Sequence, residues 1–511
     1  MVPTTQDKTN KQVVTRFAPS PTGLMHVGGV RTALYAYLYA RKHNGAFILR
    51  IEDTDKEREV TGAKEHIQES LKWLLPSANS ENPWDGEIYV QSKRLNIYRE
   101  YALMLVKAGL AYTDPYTKEE LETFRKKAEE NKQAFLYRNH RPDFIVGEWD
   151  ETKPLRLKIS DVSRTDWQDA VRGKLSAGAE ALDDFILIKA DGFPTYNFCH
   201  IVDDIEMNVT HVMRGEEFVA STPKFIALYK AIQSVYPERN IQIPHFVTLP
   251  PILGESGTKK LSKRDGAKDV LDYKKEGYLP SALVNFLAFQ GWNPGGEKEV
   301  YTVDELFESF TLERIQKSGA RWNPAKLDWF NKEHILKERA LPDMGFKDVK
   351  MKEEFYKFLP DYIQEDQRFK DQRSIAFDTL FNRYMERISY FGELTLEPIL
   401  SEFKIIGKPN EVDLLLILSD LEKTSTCEIL DSIYMLTGEL SDTDSGVWNI
   451  ENLKTVFEKI IKEKGAKNVL HPLRTTLSRE KKSLDPFSLL CILGREESVK
   501  RIQEVISEMK K

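Results

Sequence analysis

The stretch that most limits what this chain can fold into is residues 12–32, QVVTRFAPSPTGLMHVGGVRT. Gln12–Phe17 is rich in β-branched residues and holds a short apolar run, which predicts a strand. Ala18–Gly23 carries two prolines and a glycine, so the chain turns there. From Val30, apolar residues recur at Ala33, Leu34, Tyr37 and Leu38 with helical spacing, and Gly45 is placed to close that helix with a left-handed cap. His26 and the pair Gly28-Gly29 therefore stand at a helix N-terminus directly after a strand. That geometry suits a nucleotide phosphate: the first helical N–H groups are unpaired and carry partial positive charge, and two glycines let the phosphate approach the backbone. The imidazole beside them can donate to oxygens whose charge grows in a transition state. A plain loop with a satisfied surface histidine is the competing reading of the same residues.

The rhythm continues with Ala46–Ile51, AFILRI, a nearly continuous apolar run of the kind a parallel strand buried on both faces shows. It ends in Glu52-Asp53-Thr54-Asp55. Open α/β sheets bind ligands beyond the carboxyl ends of their strands, so this cluster stands where a substrate ammonium would be held. It equally suits the N-terminus of the next helix, read over Arg58–Leu75. A further helix is expected over Ser92–Leu110. Tyr112–Lys189 then breaks the pattern, with a Thr117-x-x-Glu120 capping box opening a charged helix and an alternating strand at Leu155–Ile159. It reads as an insertion, because strand–helix rhythm resumes after it. Asp184–Gly192 is read as a strand into a turn, Phe193–Met207 as a helix, Val209–Glu217 as a strand, and Ser221-Thr222-Pro223 as the opening of another helix. Within these, Tyr196 and Arg214 have two readings each. A helical tyrosine is usually core and an arginine is often a surface ion pair, yet arginine also makes the planar bidentate contact a carboxylate calls for.

A second anchor is Lys259–Asp265, KKLSKRD, after the polar approach Gly254-Glu255-Ser256-Gly257. It is either a solvated basic loop or a set of mobile cations that neutralise phosphate charge. Pro280–Gly291 is a short helix. From about Leu336 onward only helical periodicity is legible, clearest in Asp413–Leu421 and Asn452–Ile461, and such a region is ordinarily a packing or dimerisation element.

With 511 residues the chain has room for three or four ordinary domains, and its 41% apolar and 30% charged residues describe a soluble globular protein. No apolar run approaches the ~20 residues of a membrane span, and MVPTTQDKTNKQ has neither an apolar core nor an Arg-rich amphipathic pattern, so no export signal and a cytoplasmic location are expected. The net charge of −6 means that any contact with RNA must rest on local basic patches. Cys199, Cys427 and Cys491 lie far apart without a C-x-x-C pair, which argues against a compact zinc module and a disulfide framework.

The run RFAPSPTGLMHVGGVRTAL, with His26-Val27-Gly28-Gly29 in the place of the "HIGH" motif, resembles the glutamyl-tRNA synthetases of bacterial type, within the class I aminoacyl-tRNA synthetases. GFPTYNFCHIVDD and THVMRGEEF resemble two further segments of that family, with Phe218 where tryptophan is usual, and KLSKR resembles its "KMSKS" loop. LHPLRTTLS and LGREESVKRI match the end of its anticodon-binding region more loosely. The resemblance implies an α/β fold: a class I Rossmann-like nucleotide-binding domain with an α+β insertion, followed by an all-α C-terminal anticodon-binding region. The expected segments are 12–111 and 190–244 for the halves of the catalytic domain, 112–189 for an inserted acceptor-end-binding domain, 245–335 for the KLSKR loop and stem-contact region, and 336–511 for the helical anticodon-binding domain.

It also implies a glutamate–tRNA ligase that forms glutamyl-adenylate from L-glutamate and ATP and passes the glutamyl group to tRNA(Glu), with tRNA(Gln) open as a second acceptor. Carried over residue by residue, Arg16 and Tyr196 take the substrate's side-chain carboxylate, Glu52 its ammonium and Arg214 its α-carboxylate, while Ala18 and Ser20 shape the floor. His26, Gly28, Gly29, Lys260 and Lys263 hold ATP, with His26 and Lys263 as the catalytic pair and Mg²⁺ shielding the phosphates. Some relatives carry zinc in the insertion; residues 112–189 contain no cysteine, and no zinc is expected. A monomer is expected. Two rivals are a truncated relative that modifies a tRNA nucleoside, which would lack the helical half, and an inactive RNA-binding paralogue, which would have lost His26, Glu52 or Lys263. A glutamine-specific synthetase is disfavoured because its first loop typically reads P-E-P-N-G where this chain has Pro19-Ser20-Pro21-Thr22-Gly23.

Overall fold

The structure, a computed structural model, describes residues 12–77, 81–142, 148–261, 268–340, 346–418, 423–439 and 448–511. The chain divides into two compact units. One runs to Tyr273 and resumes over Pro280–Leu327, and the other holds Lys274–Leu279 and Asp328–Lys511.

The first unit opens with β1 (Val14–Phe17), α1 (Val27–Lys42), β2 (Ala46–Ile51), α2 (Ala63–Leu74), β3 (Tyr89–Val90) and α3 (Leu95–Lys107). Then come β4 (Ala111–Thr113), α4 (Lys118–Glu130), β5 (Leu155–Leu157), the hairpin β6 (Thr165–Asp169) and β7 (Gly173–Ala177), and β8 (Ile186–Ile188). The strand–helix rhythm resumes with α5 (Tyr196–Glu206), β9 (His211–Gly215), α6 (Thr222–Val235) and β10 (His245–Leu249). The main sheet has the order β3-β2-β1-β9-β10-β6-β7, parallel throughout except for β7. From β1 the chain first builds outward through β2 and β3 and later on the other side through β9 and β10. The order therefore reverses between β1 and β9, where open parallel sheets leave a crevice for ligands.

β4, β5 and β8 form a separate antiparallel sheet, whereas the β6–β7 hairpin of the same 112–189 stretch extends the main sheet beyond β10. Asp169 secures that junction: its buried carboxylate accepts from Thr248 N (3.1 Å), Thr248 Oγ1 (2.6 Å), Val171 N (2.9 Å) and Arg172 N (2.8 Å). The capping box is present, with Glu120 N donating to Thr117 Oγ1 and Thr117 N donating to Glu120 Oε2.

Helix α1 starts at Val27 with His26 as its cap, so His26 and Gly28-Gly29 stand at the helix N-terminus as expected, and its far end corrects one expectation. The residue in the left-handed region at its other end is Asn44, with φ 51°, and not Gly45. Gly45 is needed for a different reason: a Cβ there would lie 2.1 Å from Val13 O, where β1 passes. The helix read over 58–75 begins only at Ala63, after Gly62 at φ 79°.

In the second unit every regular element among the described residues from Asp328 on is helical, and it packs around Phe355, Phe377, Phe381, Leu430, Phe457, Leu473 and Leu490. Arg501 is buried in it and donates to the carbonyls of Ile405 (3.1 Å), Leu477 (2.6 Å) and Ile406 (3.3 Å), which lie at the ends of two helices. It thereby satisfies acceptors that a helix terminus leaves open. No helix among the described residues is long and apolar enough to cross a membrane.

Candidate active site

Arg16 near the end of β1 is buried, and its Nε donates to Asp204 Oδ1 at 3.1 Å. Arg50, inside the apolar run of β2, is 0% exposed. Its Nη1 donates to the same Asp204 oxygen at 2.7 Å, its Nη2 donates to Glu52 Oε1 at 3.0 Å, and its Nε lies 3.8 Å from Asp203 Oδ2. Asp203 also accepts from Gln91, Tyr98 and Arg94, at 2.9, 2.8 and 2.8 Å. Burial opposes ionisation of Asp204, but Arg16 and Arg50 outweigh it and hold its carboxyl down at about 2. For Glu52 burial prevails over Arg50 and Arg16, and its carboxyl is pushed above the ordinary value. Arg50 is the first of the groups that oppose this rise and favour the charged form of Glu52.

Arg214 at the end of β9 is buried with its guanidinium carbon 4.5 Å from the Phe225 ring centre, 5.2 Å from Phe246 and 5.6 Å from Phe218. Nη2 donates to Thr222 Oγ1 at 3.3 Å, but Nη1 is buried without a hydrogen-bond partner among the described residues. Desolvation accordingly depresses its basicity. A buried donor of this kind is costly when left unmatched. Tyr196 opens α5, half-buried, with its ring stacked on His200 at 4.6 Å and tilted against Phe218 at 5.4 Å. Phe218 thus walls both Tyr196 and Arg214. His200 is buried, donates through Nδ1 to Tyr196 O at 2.6 Å, and burial lowers its imidazole to about 3, so it is neutral. Pro19 O accepts from Glu52 N at 3.0 Å, which sets the Ala18–Ser20 loop beside Glu52.

Summed over this cluster, the arginines 16, 50, 94 and 214 face the carboxylates of Glu52, Asp203 and Asp204. One positive charge is left over. Sequence reasoning singled out Arg16, Glu52, Tyr196 and Arg214 but missed Arg50, Asp203, Asp204 and His200. The available signal was a charged residue inside the apolar run AFILRI, which a buried strand tolerates only with partners.

A cavity of about 470 Å³ opens beyond the carboxyl ends of β9 and β10 and is lined by His26, Gly28, Gly29, Arg31, Glu217, Pro250, Lys260 and their neighbours. Its volume falls in the range of small-molecule sites. His26 Nδ1 accepts from Gly28 N at 3.0 Å, so the neutral ring carries its proton on Nε2. This corrects one expectation: the N–H groups of Gly28 and Gly29 are already engaged, by His26 Nδ1 and by His26 O at 3.0 Å. What a side chain would do at the two glycines differs. A Cβ on Gly28 would sit 2.9 Å from His26 Cε1, whereas one on Gly29 would meet nothing closer than 3.9 Å. Gly28→Ala is therefore expected to swing the imidazole away with a melting temperature near that of the parent, as the His26 ring signals in NMR and calorimetry on one preparation will register.

Lys260 Nζ lies 3.1 Å from Glu217 Oε1 at this cavity, both groups being exposed. Lys263 and its neighbours 262–267 lie outside the described residues. Arg31 donates to Gln290 O at 2.9 Å and to Pro250 O, which ties the start of α1 to the loop after β10. The two clusters adjoin through Arg214 and Gly215–Glu217, which are consecutive in the chain.

Residues 12–329 match the family described as tRNA synthetases class I (E and Q), catalytic domain, and residues 353–506 match the anticodon binding domain. A glutamate–tRNA ligase of Clostridium botulinum is 40% identical, with 98% of this chain and 99% of the relative covered. One from Francisella philomiragia is 37% identical over 97% of this chain and 99% of its own length. Among solved structures, a glutamate tRNA ligase from Elizabethkingia meningosepticum, in complex with its amino acid, superposes with a TM-score of 0.78 at 32% identity, covering 98% of this chain and all of that one. The glutamate–tRNA synthetase of Elizabethkingia anophelis gives 0.75 at 31%, covering 97% and 100%. A reversed parallel sheet with its site at the switch between β1 and β9, a helical second unit, and near full-length likeness on both agree: the chain belongs to the glutamate–tRNA ligase family of class I tRNA synthetases.

Proposed function

We infer that the chain activates L-glutamate with ATP and transfers the glutamyl group to the terminal ribose of tRNA(Glu). The observation that carries this reading is the buried arginine cluster with one positive charge in excess and one donor, Arg214 Nη1, unmatched. Glutamate brings two carboxylates and one ammonium, a net charge of −1. Glutamine brings none and leaves the excess charge buried, where each charge-assisted hydrogen bond lost is worth ~1.5–3 kcal/mol.

In this reading Arg16 and Tyr196 hold the side-chain carboxylate, Glu52 the ammonium and Arg214 the α-carboxylate, over a floor shaped by Ala18 and Ser20. An α-carboxylate oxygen attacks the α-phosphorus of ATP and pyrophosphate leaves. A ribose hydroxyl of the tRNA then attacks the acyl carbon and AMP leaves. No protein nucleophile takes part, so the chain contributes position and charge. His26 Nε2–H meets phosphate oxygens, Gly28 and Gly29 give them room, and Lys260 and Lys263 neutralise the departing pyrophosphate. Mg²⁺ arrives on the triphosphate as part of the substrate.

The test is charging of purified tRNA(Glu) and tRNA(Gln) with labelled glutamate and ATP. Charging of tRNA(Glu) is expected. Failure with both acceptors, together with glutamate-independent pyrophosphate exchange, overturns the reading; charging of tRNA(Gln) in addition marks a relaxed acceptor choice.

A further inference from the structure

His66 on α2 belongs to none of the groups above, and its side chain is 11% exposed. Its Nδ1 accepts the backbone N–H of Met25 at 3.3 Å, and its Nε2 lies 2.8 Å from an Asp269 carboxylate oxygen. Ser70 Oγ stands 3.5 Å from the same Nδ1 but donates to His66 O at 2.7 Å, which leaves Met25 as the donor to that nitrogen. A ring that accepts at Nδ1 and donates at Nε2 is the single neutral tautomer protonated on Nε2. Asp269 is itself oriented by the N–H of Leu271, at 3.0 Å.

The same two segments meet through backbone as well. Val270 N donates to Met25 O at 3.0 Å, and His26 and Asp269 form an antiparallel bridge. Both backbone groups of buried Met25 are therefore engaged, one by His66 and one by Val270, and the next residue is His26. Three stretches distant in sequence thus converge on the peptide that carries the imidazole at the head of α1.

We propose that His66 is a positioning residue for the nucleotide step: bridging Met25 N–H and Asp269, it sets the backbone from which His26 reaches the ATP phosphates. The proposal rests on the reading that His26 holds ATP. Without the His66 acceptor, the Met25 N–H is a buried donor with nothing to bond, and the 24–26 turn shifts to satisfy it. A shift of about 1 Å at a reacting group can cost up to 10²-fold in rate.

The experiment is glutamate-dependent ATP–pyrophosphate exchange on the full chain carrying His66→Leu, His66→Gln or His26→Ala, with melting temperatures taken on the same samples. His66→Leu is expected to raise KM for ATP or lower kcat by about tenfold, while KM for glutamate stays within about twofold. His66→Gln, whose amide oxygen accepts and amide nitrogen donates at a similar separation, is expected to recover most of the loss. Wild-type ATP kinetics in folded His66→Leu alongside a crippled His26→Ala overturns the proposal and leaves the reading of His26 standing. A lowered melting temperature with both KM values and kcat per folded enzyme unchanged makes the contact merely structural and also overturns it. Unchanged exchange in His26→Ala overturns that reading and the proposal together.

Discussion

Arg50→Met is expected to cost the first unit about 3–5 kcal/mol, the cost of breaking a buried ion pair from one side. The guanidinium touches Asp204 and Glu52 and lies 3.8 Å from Asp203, and it is wholly buried. Removing it leaves three buried carboxylates with Arg16, Arg94 and Arg214, and takes away the direct bonds to Asp204 and Glu52. Glu52, whose carboxyl burial already pushes upward, then loses its chief counter-charge and is pushed further up. The unfolding transition of this unit is expected to fall by on the order of 10 °C, and glutamate activation to fall with it, because the charged form of Glu52 that would attract an ammonium is disfavoured. Adding Asp204→Asn removes one of the stranded charges and is expected to restore part of the stability. Calorimetry of the single and double variants checks both statements; a single variant melting with the parent refutes the account of Arg50.

Arg214→Met is expected to do the reverse. This cation lies among three phenylalanine rings with one buried donor unmatched, so the fold holds it at a cost. Methionine fills such a space without a charge, and the Thr222 hydroxyl keeps its bond to Phe218 O at 3.1 Å. The melting temperature is expected to stay level or rise. The kcat/KM for glutamate is expected to drop about 10²–10³-fold, because truncating one side of a buried, hydrogen-bonded charge pair costs ~2–5 kcal/mol. KM for ATP is expected to change little. Arg214→Lys is not expected to rescue, since an ammonium offers no planar fork to a carboxylate. Steady-state kinetics beside calorimetry decide the matter: a variant that loses stability and activity in proportion contradicts the assignment. Arg50 and Arg214 are both buried arginines, and what separates them is that one is fully partnered and the other keeps a buried donor unmatched among the described residues.

That distinction shows where reading from sequence stops. The strand–loop–helix at 12–32, the strand at 46–51, the capping box at Thr117 and Glu120, and the helical character after Leu336 follow from local periodicity and caps, which depend on residues only a few positions apart. Even so, the left-handed residue after α1 is Asn44 rather than Gly45, because β1 passes close enough to claim the glycine for itself.

What only the tertiary structure decided is which charges meet. Arg50 and Asp204 are 154 positions apart, and His66 and Asp269 are 203 apart. No local pattern distinguishes the arginine that is neutralised from the one left with a free donor, or the histidine that caps α1 from the one that holds its approach. Periodicity and the HVGG and KLSKR motifs determined the architecture and the family, since both are written in neighbouring residues. The charge state and readiness of the site depend on burial and on partners brought together by the crossing of the sheet, and those exist only once the chain has folded.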